Sequence, residues 1–274
     1  MPTAVHPPRT AAGPAPAHAL VLAPVTPAWD EGAFFAPVID TLTAAGAGLR
    51  VTVVDTLSLR DERVRTLDDL VARWRALLPA FGRIDLLCGN ALGGAVAQGL
   101  LPYVAPRTAA LLVSGPARSD ALLEHRLNEI ADLAATGHTE ASLALLHERV
   151  QPDGTPPSTG PDEPRGPGRL ARAGTAPAVP ADLPRPAHQS PAQRLDGGLR
   201  LLCGIDLAAA VEAHPGPLLH IVGGRSQLVT RRHTAAGPHH RVHVVAEAGM
   251  RPHTDQPAEV SALIGAFLRE KGLT

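Results

Sequence analysis

The stretch Ile84–Gly99, IDLLCGNALGGAVAQG, decides how the rest of the chain is read. Ile84, Leu86 and Leu87 form a short apolar run suited to a buried parallel strand. The run breaks at Gly89, and after Asn90 and Ala91 come Gly93, Gly94 and a helix-forming segment through Ala95–Leu101. The expected unit is a strand, a sharp turn and a helix, with glycines where the two elements approach closely around one exposed, strained residue. That residue is Ala91.

Working outward, Leu67–Leu78 carries apolar residues at 67, 70, 71, 74, 77 and 78, close to helical spacing, and leads into this strand. Upstream, Ala19–Ala23 and Arg50–Asp55 read as strands, separated by the loop Pro24–Gly32 and a helix over Ala33–Ala45. Downstream, Ala109–Ser114 is a strand, and the alternation resumes at Pro217 with apolar runs at Leu218–Val222 and Val242–Val245, the doublet His239-His240 reading as a turn before the last. Strands alternating with helices specify a parallel sheet with crossover connections.

Gly89-Asn90-Ala91-Leu92-Gly93-Gly94 occupies the place of a G-x-S-x-G nucleophile elbow, with Ala91 where the nucleophile would stand. On this motif the chain resembles the α/β-hydrolase superfamily. The resemblance implies a mostly parallel central sheet flanked by helices, with a helical cap insertion, and it extends to two further segments. Leu218–Val229 is similar to the late strand whose following loop supplies the family's acid, yet no carboxylate occurs there. Val242–Pro257 is similar to the last strand and its loop, where the family has Gly-His-x-x-His-x-x-x-Pro; Met250 stands in place of the catalytic histidine, and His253 three residues on. In the family the first loop and the residue after the elbow donate the oxyanion-hole N–H groups. Val25 and Leu92 are the candidates, because Pro24 and Pro27 have no N–H to give.

The expected organisation is a core of residues 18–117 and 200–274, a cap and Pro-rich lid over 118–199, and a disordered segment over 1–17. Asp120–Ala135 and Glu140–Val150 are amphipathic helices separated by Gly137, with Ser119 or Asp120 as a cap. Gln151–Pro191 is saturated with proline and glycine and reads as a lid loop, after which Gln193–Leu202 and Asp206–Ala213 read as helices.

Composition narrows the function classes. The chain has 274 residues, 45% hydrophobic and 19% charged, enough for one elaborated domain. A net charge of −1 supplies no basic face for nucleic acid. No apolar run is long enough for a membrane span, and the Pro/Ala-rich start does not read as a signal peptide, so a cytoplasmic location is expected. Cys88 and Cys203 lie in apolar runs and suit reduced core thiols; the histidines show no metal-ligand spacing, no cofactor is implied, and the oligomeric state is open.

The candidate pocket over Ala91 is expected to draw on Val25, Thr26, Trp29, Leu92, Ser226, Val229 and Met250. Each has a plainer alternative: Trp29 and Met250 as core packing, and Ser226 as a loop hydroxyl without a base. Asp30, Asp55 and Asp255 read as turn or cap residues. His253 is either a hydrogen-bonded structural histidine or a base. A resemblance to triad-less α/β-hydrolase-fold peptide epimerases of bottromycin biosynthesis implies a substrate, a cyclised, ribosomally made peptide, and a reaction, conversion of an L-aspartyl residue to its D form by Cα proton abstraction. The base would be His253 or the substrate's own carboxylate. A ligand-binding non-enzyme and a hydrolase or lyase with rearranged residues are the alternatives.

Overall fold

The computed structural model describes residues 3–6, 17–44, 49–155 and 189–273. Among the described residues seven strands make one sheet: β1 (Thr3–His6), β2 (His18–Leu22), β3 (Arg50–Val54), β4 (Leu86–Asn90), β5 (Ala109–Val113), β6 (Leu218–Gly223) and β7 (His240–Val245). Their order is β1-β3-β2-β4-β5-β6-β7, with every pairing parallel except that of β1 with β3. Strands β4 and β6 belong to the same sheet, joined through β5, as the alternation of the sequence requires.

The helices are α1 (Ala36–Thr43), α2 (Leu67–Leu77), α3 (Leu92–Leu100), α4 (Ala121–Ala135), α5 (Thr139–Val150), α6 (Pro191–Arg200), α7 (Ala208–Glu212), α8 (Pro252–Asp255) and α9 (Pro257–Glu270). They cover the sheet on both sides, so β2, β4, β5 and β6 are buried along their whole length and are predominantly apolar. Leu20, Leu22, Leu87 and Leu112 face one core with α2, α3 and the helices inserted between β5 and β6; Ala19, Val21, Leu86 and Leu111 face the other with α1 and α9.

Helix starts follow local chemistry. Thr66 and Asp69 form a capping box for α2, Asp120 accepts the Leu123 N–H at 2.8 Å to cap α4, and Ser190 with Gln193 boxes the start of α6. Pro191 opens α6, two residues before the expected helix, because a proline at the first helical position has no N–H to leave unpaired.

Three expectations are corrected. Residues 3–6 were expected to be disordered with the rest of 1–17; they form an antiparallel edge strand, Thr3 opposite Val54 and His6 opposite Val51. Backbone pairing with the open edge of β3 holds them, an interaction that leaves no side-chain periodicity to read. The helix over Ala33–Ala45 is a 3₁₀ turn, Ala33–Phe35, followed by α1, which Pro37 opens in its first turn. The His239-His240 turn extends only to His239: His240 already begins β7, its ring accepting the Gly237 N–H at 2.8 Å. Residues 7–16 of the N-terminal segment and 156–188 of the lid lie outside the described residues. Among the described residues no helix is long and apolar enough to cross a membrane.

Candidate functional site

Strand β4 turns into α3 at Ala91, whose backbone takes φ 47° and ψ −115°. For an L-residue with a Cβ this is a strained geometry, and two features enforce it. The Ala91 N–H bonds the Val113 carbonyl at 3.1 Å, and the neighbouring glycines let the elements close up. A Cβ on Gly93 would lie 2.1 Å from the Leu22 oxygen, and one on Gly89 would lie 2.4 Å from the Gly93 oxygen. The first backbone bond of α3 runs from the Ala95 N–H to the Ala91 oxygen, so the amides of Leu92, Gly93 and Gly94 precede the helical ladder. The elbow is thus built as its sequence implies, with a methyl group at its tip.

Above it lies a cavity of about 290 Å³, at the carboxyl ends of the strands. The elbow residues Asn90, Ala91 and Leu92 form its floor, and the first loop contributes Pro24, Val25 and Thr26. Leu123 and Leu127 of α4, Leu143, Leu146, His147 and Val150 of α5, and Leu199 of α6 form the roof. Leu228, Val229, Met250, Arg251 and His253 close the remaining side, with Phe34 and Leu202. The wall is overwhelmingly apolar. Among the described lining residues there is no serine, cysteine or carboxylate, and Thr26 carries the one hydroxyl.

Of the residues expected here, Val25, Thr26, Ala91, Leu92, Val229, Met250 and His253 come together. Ser226 and Trp29 do not. Ser226 is buried beside the cavity, donating to the Met250 sulfur at 3.8 Å and accepting the Leu228 N–H at 3.3 Å. Trp29 packs against the core on the opposite face of the sheet, where the first loop runs towards α1. Met250 is 6% exposed, and its N–H bonds the Val150 carbonyl at the end of α5, tying the cap to the loop after β7. Asp55 and Asp255 are indeed turn acceptors, for Leu57 N–H and Gly249 N–H, as is Asp30 for Gly32 and Phe34.

His253 is 1% exposed. Its Nε2–H donates to the Phe34 carbonyl at 3.0 Å, which leaves Nδ1 with a lone pair, and no partner for Nδ1 occurs among the described residues. The ring meets Phe35 edge to face at 4.9 Å between centroids. Burial, reinforced by the nearby Arg251 charge, pushes its pKa down to about 4 against the pull of the Phe34 hydrogen bond. The imidazole is therefore neutral at physiological pH and a weak base.

Two arginines went unread in the sequence. Arg194 of α6 is buried against Asp55, with Nη1 and Nη2 at 2.9 and 2.8 Å from the two carboxylate oxygens, and its Nε donates to the Thr26 carbonyl at 2.7 Å. One side chain thereby fixes the cap helix, the end of β3 and the first loop of the cavity. Arg251 lines the cavity itself. The partners of Arg194 lie 139 and 168 positions away, so no local pattern could have pointed to it.

No protein-family profile and no curated protein matches the chain. Solved structures do. It aligns with an α/β hydrolase enzyme from a Medee basin deep-sea metagenome library at 10% identity and a TM-score of 0.70, covering 97% of this chain and 93% of the other. A hydrolase from Pseudomonas aeruginosa aligns at 18% identity and a TM-score of 0.69, over 97% and 93%. An enol-lactonase from Burkholderia xenovorans aligns at 16% identity and a TM-score of 0.66, over 97% and 96%. The protein has the α/β-hydrolase fold: a mostly parallel central sheet with flanking helices and helices inserted over the elbow. At these identities the likeness establishes the fold alone, and the chemistry rests on this chain's own residues.

Proposed function

We propose that this protein is a triad-less member of the α/β-hydrolase fold that binds a modified, cyclised peptide in the cavity over Ala91 and epimerises an aspartyl residue from L to D. The observation that carries this reading is the elbow: a strained backbone turn is maintained at Ala91 on the floor of the cavity, with the Leu92 amide ahead of the helical ladder, although the residue at its tip cannot attack. Such amides stabilise negative charge developing on a carbonyl oxygen whether that charge comes from attack or from loss of a Cα proton.

In the reaction, the carbonyl of the aspartyl residue rests against the N–H groups of Leu92 and Val25. Its Cα–H bond breaks, the proton passes to a base, and the electron pair moves onto the carbonyl oxygen as an enolate. Delivery of a solvent proton to the opposite face of Cα gives the D residue, and the base is regenerated by releasing the abstracted proton to solvent. His253, with its pKa pushed down to about 4, is a poor base. A substrate carboxylate desolvated among the leucines of the cap rises in basicity and serves better. A cavity of about 290 Å³ holds one side chain and its adjoining peptide unit, so the remainder of the macrocycle stays at the mouth.

Incubation of an L-aspartyl cyclised peptide with the protein in heavy water should place one deuterium at one Cα with inversion there, and exchange should survive His253→Leu. Ala91→Leu, which fills the floor, should abolish it. Activated esters should give no burst and no covalent adduct. The lack of a carboxylate, serine or cysteine among the described lining residues favours a second reading, a non-catalytic ligand-binding protein. Tight binding without exchange would select it. Labelling of Ser226 by a serine-directed phosphonate would instead revive a rearranged hydrolase.

A further inference from the structure

Arg251 stands between Met250 and α8, immediately after the loop that in a hydrolase of this fold would carry the catalytic histidine. It lines the cavity, its Nε is shut off from solvent, and that atom has no hydrogen-bond partner among the described residues. No carboxylate lines the cavity among the described residues. Asp255, whose carboxyl group feels the Arg251 charge, forms no ion pair with it, its Oδ2 accepting the Gly249 N–H at 2.8 Å. Several other arginines near the cap are paired with carboxylates, while Arg126 donates to the Gln227 carbonyl. Arg194 is paired with Asp55, Arg200 with Asp132 and Asp196, Arg149 with Glu129, and Arg225 with Glu247. A guanidinium carries five donors and cannot shed its proton, so leaving one partly desolvated without an acceptor costs free energy that a bound anion recovers.

We infer that Arg251 is an anion anchor, and that the natural ligand of this cavity is an apolar molecule or segment carrying an ionised carboxylate, separate from any group that acts as base, its apolar part under the leucines of α4, α5 and α6 and this carboxylate on Arg251. This rests on the proposal that the cavity is a ligand site and adds the charge of the ligand. It also divides labour within the wall. The elbow amides take the carbonyl that reacts or is merely held, and the fork of Arg251 takes a second, ionised group that orients the ligand.

The test compares octanoate, octan-1-ol and octylammonium by isothermal titration calorimetry against the whole chain. Octanoate should bind at least tenfold more tightly than octan-1-ol, and octylammonium should not bind detectably. Arg251→Met keeps an apolar stem and removes the charge; it should bring octanoate and octan-1-ol to equal affinity, with a circular dichroism spectrum matching that of the unaltered chain to show that the variant is folded. Arg251→Lys, which keeps the charge without the fork, should restore part of the preference. Equal binding of octanoate and octan-1-ol to the unaltered chain would overturn the anion anchor and leave the ligand cavity standing. Absence of binding by all three, with Ala91→Leu equally silent, would overturn the cavity reading and the anchor with it.

Discussion

Ala91 concentrates the tension between backbone and chemistry. Its φ of 47° and ψ of −115° lie near the first central position of a type II′ turn, a place where glycine is favoured. Holding alanine there costs about 1–3 kcal/mol, whereas a glycine loses about 0.5–1 kcal/mol more chain entropy on folding. Ala91→Gly should therefore raise stability by about 1 kcal/mol, read as a higher urea midpoint at unchanged slope. A lower midpoint would mean that the alanine methyl packs well enough to offset its strain. This residue was legible from sequence because everything that specifies it lies within a few positions: an apolar run, then Gly89, Gly93 and Gly94. Trp29 and Ser226 were misplaced for the converse reason. A loop's position in the chain does not say towards which face of the sheet its side chains turn, and Trp29 turns to the face away from α3.

Among the elements, α6 does most to hold the inserted helices over the core. Its first turn delivers Arg194 to Asp55 and Thr26. The pair is almost fully buried, with side chains 8% and 3% exposed, so truncating one partner strands the other's charge away from water. Arg194→Met should cost about 3–5 kcal/mol, the range for breaking a buried pair from one side. Asp55→Asn combined with Arg194→Met should recover part of that loss, because no unpaired charge remains. Urea unfolding of the three variants checks this; a loss below about 1 kcal/mol for Arg194→Met would show that water reaches the carboxylate. Element types were legible because periodicity and capping chemistry are local, as with Thr66 and Asp69 at α2. What joins them was not. The edge strand β1 rests on backbone pairing, and the Arg194–Asp55 contact spans 139 residues.

At the scale of the whole molecule, the interior is set against protonation. His220 in β6 is fully buried with no partner for either ring nitrogen among the described residues, and burial pushes its pKa down to about 3. His253 is pushed down to about 4, and burial also lowers His18, His214 and His233. In the unfolded chain each would titrate near its ordinary value of 6.5. Between that pH and the lowered folded values the unfolded state holds more protons than the folded one, so stability rises with pH across the window. The contribution is complete above about pH 6.5 and is lost as pH falls, reaching about 3 kcal/mol for His253 alone. Asp30 and Asp255, whose carboxyl groups burial pushes up, oppose this near the bottom of the window. Urea midpoints should fall steadily from pH 7 to pH 4.5. His220→Leu should raise the midpoint at pH 7, since it removes two unsatisfied ring nitrogens, and should flatten the fall below pH 6.5. A midpoint for His220→Leu that tracks the unaltered chain at every pH would mean that water already solvates this ring, and the acid sensitivity would then have to come from the carboxylates.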